Sequence, residues 1–255
     1  MKHFIYRFLQ ANMLFCLRLY AMGQRKLNII QAGANDGKSI DNMFRLITLP
    51  KSHAIVLEPV PHIFSQLKKN YAAYPQVRPM QIAVGDNDAI SSLPFHYLKP
   101  VPGEPFLEMY NLWGSFSRQH LENFRGNVPN FDTLFCMEEV PCLTINALYK
   151  QSGFEQLNIL ATDTEGYDGK IIDSVDFEVV RPHIIWFEHY HIPKPELIRL
   201  ILKLRKENYR CYSLGYDTLC VHRRVQWADA LLRFMRFVHP NWYLPPNCSA
   251  ELKAA

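Results

Sequence analysis

Apolar positions follow two rhythms along the chain, and their alternation predicts the fold. Short, largely apolar runs stop at Gly33, at Glu58 (53–58), at Gly85 (77–84), at Thr162 (157–162) and at Phe187 (183–187). Runs of that length between turn residues read as strands buried on both faces. The stretches between them, 39–49, 61–74, 144–151, 167–175 and 195–207, carry helical spacing, with Ile63, Phe64 and Leu67 on one face of the second. Pro50 and Pro75 stop the first two, and Thr144 stands where a helix N-cap belongs. Near the end, Gly215-Tyr216-Asp217 turns a strand at 209–214 back into one at 218–222. The order strand-helix-strand-helix-strand predicts an α/β fold with right-handed crossovers. Its sheet is mostly parallel with one antiparallel strand, and helices cover both faces.

The rhythm breaks after the third strand. Residues 91–98 read as an extra strand. Residues 100–132 are aromatic and irregular, punctuated by Pro100, Pro102, Gly103, Pro105, Gly114, Gly126 and Pro129. Long loops inside compact domains often carry function, so this insertion (91–135) is expected to shape an acceptor pocket through Trp113 and Ser115. A structural cover on the sheet is the plainer alternative.

The chain therefore divides into an N-terminal helical extension (1–26), a central domain (27–222) and a C-terminal helical tail (223–255). The extension has an apolar stripe of Phe4, Phe8, Leu14, Phe15 and Leu19, interrupted by Arg7, Gln10, Asn12 and Arg18. Those interruptions make it a poor membrane span, and it lacks the cleavage site of a signal peptide. Packing on the domain is the plain reading; a lid or an interfacial helix is the sharper one. The tail at 225–238, with Trp227, Leu231, Leu232, Phe234 and Met235, is a candidate partner for the extension.

Composition narrows the classes. A chain of 255 residues fits one embellished α/β domain. A net charge of +4, without a basic stripe, argues against nucleic acid. The six cysteines include no Cys-x-x-Cys pair, so free thiols in a reducing compartment are expected and no zinc site is assigned.

The chemistry gathers where the predicted strands end. Gly33 and Gly37 open a turn in which a backbone can pass close to a ligand. An acid about 20 residues further on, here Glu58, can reach ribose hydroxyls at the mouth of such a sheet. Gly-x-Gly-x-x-Gly is missing, which argues against a pyrophosphate and favours a nucleoside without phosphates. The run Thr162-Asp163-Thr164-Glu165-Gly166-Tyr167-Asp168 brings Asp163 and Glu165 to the same edge. Carboxylates in a cleft can take a proton from a hydroxyl. Glu188 and His189 end the next strand, and a histidine that titrates near neutrality suits a general base. His189 and His191 could face one ion at strand spacing, but loop histidines are the plainer reading.

Together, Ile30 to Gly37, Leu57-Glu58-Pro59-Val60-Pro61, Ile82-Ala83-Val84-Gly85-Asp86 and Thr162 to Asp168 resemble the FkbM-type S-adenosylmethionine-dependent methyltransferases. The resemblance implies a Rossmann-like class I fold and S-adenosyl-L-methionine as cofactor. It also implies methyl transfer to a hydroxyl of a sugar, glycolipid or polyketide. Carried over by position, Gly33, Ala34, Asn35 and Gly37 would line the methionine part, with Gln31 standing where many class I enzymes have an acid. Glu58 would bind the ribose, and Ala83, Val84 and Asp86 would border the adenine. Asp163, Glu165 and His189 are the expected catalytic residues; Asp163 is also expected among the cofactor-binding residues, where it could instead orient the amino group of a methionine-like ligand, and a structural role for both carboxylates, capping the helix near Tyr167, is the plainer alternative. Trp113, Ser115 and Glu188 are expected to meet the acceptor. The expected acceptor is a small molecule or glycan and the expected location is cytoplasmic, with membrane contact through the terminal helices left open. A nicotinamide-dependent oxidoreductase and a non-catalytic cofactor-binding module stay as alternatives.

Overall fold

A computed structural model describes residues 14–39, 43–99, 114–227 and 230. In these residues the strands are β1 (Leu27–Ala32), β2 (Ser52–Leu57), β3 (Val77–Met80), β4 (Ala83–Val84), β5 (Ser92–Leu98), β6 (Phe135–Leu143), β7 (Ile159–Thr162), β8 (Ile184–Glu188), β9 (Tyr209–Leu214) and β10 (Asp217–His222). The helices are α1 (described over 14–22), α2 (Phe44–Ile47), α3 (Pro61–Tyr71), α4 (Arg118–Glu122), α5 (Phe131–Leu134), α6 (Ile145–Ser152), α7 (Asp168–Ser174) and α8 (Lys194–Lys206).

The main sheet has seven strands in the order β3-β2-β1-β7-β8-β10-β9. β1 runs parallel to both neighbours, with Ile30 opposite Ile55 on one side and Leu160 on the other. β10 is antiparallel to β8 and to β9, and the chain reaches it through Gly215 at φ +75°. Every residue of β1 and of β7 is buried, the polar Asn28, Gln31 and Thr162 included. Strand alternation sends successive residues to opposite faces. Ile29 joins Leu17, Tyr20, Ile47 and Leu67 in one core, while Ile30 joins Leu148, Ile172, Leu200 and Ile201 in the other. The sheet switches direction between β1 and β7, and ligand crevices in such sheets form at the carboxyl ends of the strands there.

Two expectations are corrected. The predicted strand at 77–84 is two strands. β3 is an edge strand, where Pro79 is tolerated without an N–H. After Met80 the chain leaves the main sheet, and β4 pairs with β6 in a second sheet of order β4-β6-β5. The insertion is also less irregular than its composition implies. Its described part folds into α4, a short 3-10 turn and α5 around a small core of Leu98, Leu121, Val128, Phe131 and Leu134. Those apolar residues close on one another, so they show no amphipathic period toward the sheet. The predicted helix at 39–49 is described only from Phe44, and residues 40–42 lie outside the described residues.

Helix α1 sits at the amino ends of the strands, not over the crevice. The Tyr20 hydroxyl accepts from Asn158 Nδ2 at 2.9 Å and lies 2.6 Å from His183 Nδ1. Asn158 Oδ1 in turn accepts from the Asn28 N–H at 2.8 Å. Asn28, Asn158 and His183 all stand at or just before strand starts, so this network ties α1 to the edge opposite Gly33. Trp227 stacks on Tyr20 with ring centroids 6.0 Å apart. Residues 1–13 and most of the tail lie outside the described residues, and no described helix is long and apolar enough to cross a membrane.

Candidate functional site

The turn after β1 threads between two other chain segments. Ala34 donates its N–H to the Leu57 carbonyl at 2.9 Å, and Asp163 donates its N–H to Ala32 at 3.1 Å. Gly33 adopts φ +71°, and a Cβ there would stand 1.7 Å from the Asp163 carbonyl oxygen. Glycine is required at this position by both conformation and space. Asn35 follows at φ +51°, a left-handed conformation that asparagine tolerates better than most residues.

This conformation aims the Asn35 N–H at Glu58. The Glu58 carboxylate accepts from Asn35 at 3.1 Å through Oε2 and from Val60 at 2.9 Å through Oε1. Only 5% of Glu58 is exposed. Burial outweighs the two N–H donors and pushes its carboxyl up to about 7. Each oxygen keeps a lone pair for a further donor.

Not every residue of the loop faces the crevice. Ala34 is buried and belongs to the same core as Ile29. At Gly37, with φ +72°, a Cβ would meet Tyr71 at 2.4 Å and Leu67 at 2.6 Å, so that glycine serves packing against α3. The expectation that Ala34 and Gly37 line a ligand with their own surface is corrected on that ground. Gln31 is buried within β1, between Val56 of β2 and Ala161 of β7. Ala83 and Val84 are buried in β4, and half-buried Asp86 accepts the Tyr167 hydroxyl.

Tyr167 is also gripped by the insertion: the Phe116 ring meets it edge-on with centroids 4.7 Å apart. Ser115 is buried, exchanges backbone hydrogen bonds with His96, and donates its hydroxyl to the Glu165 carbonyl at 3.3 Å. It clasps the insertion to the loop after β7, so the expected acceptor contact of its side chain is corrected to this role. Trp113 lies outside the described residues.

The loops after β7 and β8 gather the acids. Asp163 is exposed at the end of β7. Asp168 is fully buried, accepts the Thr164 N–H at 3.1 Å, and is held above the usual carboxylate range by that burial. Glu188 is pushed up to about 10, first by burial and then by the charges of Asp163, Glu165, Asp168 and Asp217. Its Oε2 has no hydrogen-bond partner among the described residues. The charges of Asp163, Glu165 and Asp217 give this sheet edge a negative potential that favours a cationic ligand.

His189 does not join them. Strand alternation turns it away from Glu188, and its ring is held by the Thr218 hydroxyl at 3.0 Å and by the Asp217 backbone. Burial lowers its pKa to about 4. The general-base expectation for His189 is corrected: the imidazole locks β10 to the end of β8. His191, two residues on, meets a residue that sequence reasoning passed over. Its Nε2 stands 3.4 Å from Glu165 Oε2, and His120 Nε2 of α4 stands 3.6 Å from the same oxygen. His120 comes from the insertion, and nothing in its sequence neighbourhood signals that encounter.

The sheet order, the tight turn after β1, the buried acid closing β2 and the acid-bearing loops after β7 and β8 together define a Rossmann-like α/β domain with a ligand crevice at the carboxyl edge of its sheet. The model of the methyltransferase FkbM domain matches residues 31–211, and the chain belongs to that family. No curated protein matches it. Among solved structures the chain is similar to the METTL16 methyltransferase domain, at 13% identity and TM-score 0.44 over 84% of this chain and 67% of that one. It is similar to the precorrin-6y C5,15-methyltransferase of Geobacter metallireducens GS-15, at 12% identity and TM-score 0.40 over 83% and 87%. It is also similar to an O-methyltransferase from Bacillus cereus in complex with SAH, at 10% identity and TM-score 0.37 over 85% and 80%.

Proposed function

We propose that this methyltransferase uses S-adenosyl-L-methionine to methylate a hydroxyl of a sugar, glycolipid or polyketide-like acceptor. The observation that carries the reading is Glu58: a buried carboxylate at the end of β2, bonded to the N–H of Asn35 in the glycine turn. Its free lone pairs suit the two hydroxyls of a ribose. Glycine at position 33 keeps side-chain bulk out of the gap between the turn and Asp163. The acids around Glu188 favour the positive charges of a sulfonium and an α-amino group. Bound, this donor supplies an already activated methyl group.

The remaining work falls to the protein. It holds the acceptor oxygen in line and removes its proton; orientation alone can contribute up to about 7–11 kcal/mol in well-aligned cases. We assign the proton to the exposed Asp163 carboxylate, which stands at the carboxyl edge of the sheet beside Gly33. Glu188 is assigned to the acceptor side of the same cleft. Calorimetric titration with S-adenosylhomocysteine, with NAD as control, tests the cofactor. Micromolar binding that Glu58→Ala weakens at least tenfold is expected, followed by labelled-methyl transfer to hydroxyl acceptors in a glycan screen. Absence of binding, or preference for NAD, would overturn the reading.

A further inference from the structure

Three segments distant in sequence place His120, Glu165 and His191 around one point. The candidate ligand atoms of the three side chains all lie within 4.8 Å of one another. The two separations to the shared Glu165 Oε2 are 3.4 and 3.6 Å. A tetrahedral zinc ion with bonds of about 2.0–2.2 Å needs ligand atoms about 3.3–3.5 Å apart. Both contacts are therefore near the edge length of such a site. At 3.6 Å His120 is too far for a good hydrogen bond, and its Nε2 is buried with no hydrogen-bond partner among the described residues. A buried ring nitrogen aimed at a carboxylate without bonding to it is an unsatisfied group whose simplest partner is a cation between the two.

The backbone is shaped to bring these groups together. Glu165 adopts φ +51°, a conformation that a non-glycine residue rarely takes and that clusters at functional sites. Gly166 follows at φ +98°, and a Cβ there would press on the His191 Cβ at 3.2 Å. The Glu165 carbonyl is held by Ser115, and the His120 N–H is capped by Ser117. The His120 and His191 rings meet nearly at right angles, with centroids 5.0 Å apart. The insertion, the β7 loop and the β8 loop thus converge on this one point.

We infer that His120, Glu165 and His191 form a binding site for one divalent transition-metal cation of the zinc class, beside the acidic cleft. Two imidazoles and one carboxylate favour borderline cations over magnesium and calcium, which prefer all-oxygen shells. Three protein ligands leave a fourth position for water or for an oxygen of a bound molecule. The inference goes beyond the methyl-transfer reading and does not depend on it.

The test uses the full chain stripped of metal and titrated with zinc by calorimetry. One equivalent with micromolar or tighter affinity is expected. His120→Ala, His191→Ala and Glu165→Gln should each weaken binding at least tenfold. X-ray absorption of the zinc-loaded wild-type protein supplies a readout that needs no variant: nitrogen and oxygen neighbours at about 2.0–2.2 Å and no sulfur at about 2.3 Å. Absence of stoichiometric binding overturns the site. So does a sulfur shell, which would put the metal on the cysteines, or a His120→Ala/His191→Ala double variant that binds zinc as tightly as the wild type.

Discussion

Replacing Glu58 by glutamine removes a titration that the structure makes unusually consequential. Burial raises this carboxyl from 4.5 to about 7. That difference corresponds to about 3 kcal/mol between the protonated and ionised forms. Between these two pH values the unfolded chain has lost the proton while the folded protein keeps it. The stability that Glu58 contributes is therefore fully present below pH 4.5, falls as pH rises, and levels off above about 7. A glutamine has no such slope. Its amide NH2 faces one of the two backbone donors, Asn35 or Val60, which costs about 1–3 kcal/mol at every pH. That offset is constant, so the pH dependence isolates the carboxyl. Urea unfolding of both proteins from about pH 5 to about pH 8 should show the variant gaining about 2–3 kcal/mol on the wild type. Parallel curves would refute the argument, because they mean that folded Glu58 titrates as it does in water. The same reasoning reaches the ligand: ribose hydroxyls donate to the ionised form, so S-adenosylhomocysteine should bind wild type more tightly as pH rises through 7.

Other consequences separate fold from chemistry. Gly33→Ala should cost at least about 3 kcal/mol in chemical denaturation, since its Cβ would overlap the Asp163 backbone and its φ is positive. Tyr20→Phe should cost about 1–3 kcal/mol through Asn158 and His183; S-adenosylhomocysteine affinity should not change, and a change would contradict the placement of α1 at the opposite edge. His189→Ala should lower the melting temperature while turnover stays within about twofold, whereas Asp163→Asn should lower kcat by about 100-fold with cofactor affinity retained. Normal turnover in Asp163→Asn would remove Asp163 as the base.

What could be read in the chain was whatever neighbouring residues decide. The buried strands announced themselves as apolar runs because both of their faces are covered, and Gly33 and Glu58 declared a crevice because each ends such a run. Facing was harder to read. Gly37 and Ala34 lie in the same loop as Gly33, but only the packed structure shows that α3 and the core claim them. His189 looked like a base because histidine titrates near neutrality; burial beside Thr218 moved it to about 4. Least legible was His120, separated from Glu165 by α5, β6, α6 and β7, and from His191 by α7 and β8 as well. No periodicity marks it, because its partners meet it only after the insertion has closed over the sheet edge. The insertion needs its own small core for that closure: Leu121, the next residue, is buried among Val128, Phe131 and Leu134. That packing fixes α4 in place, and α4 carries His120 to Glu165. The apolar residues of a segment whose prolines and glycines made it look irregular are thus what positions the group at the site that the sequence did not reveal.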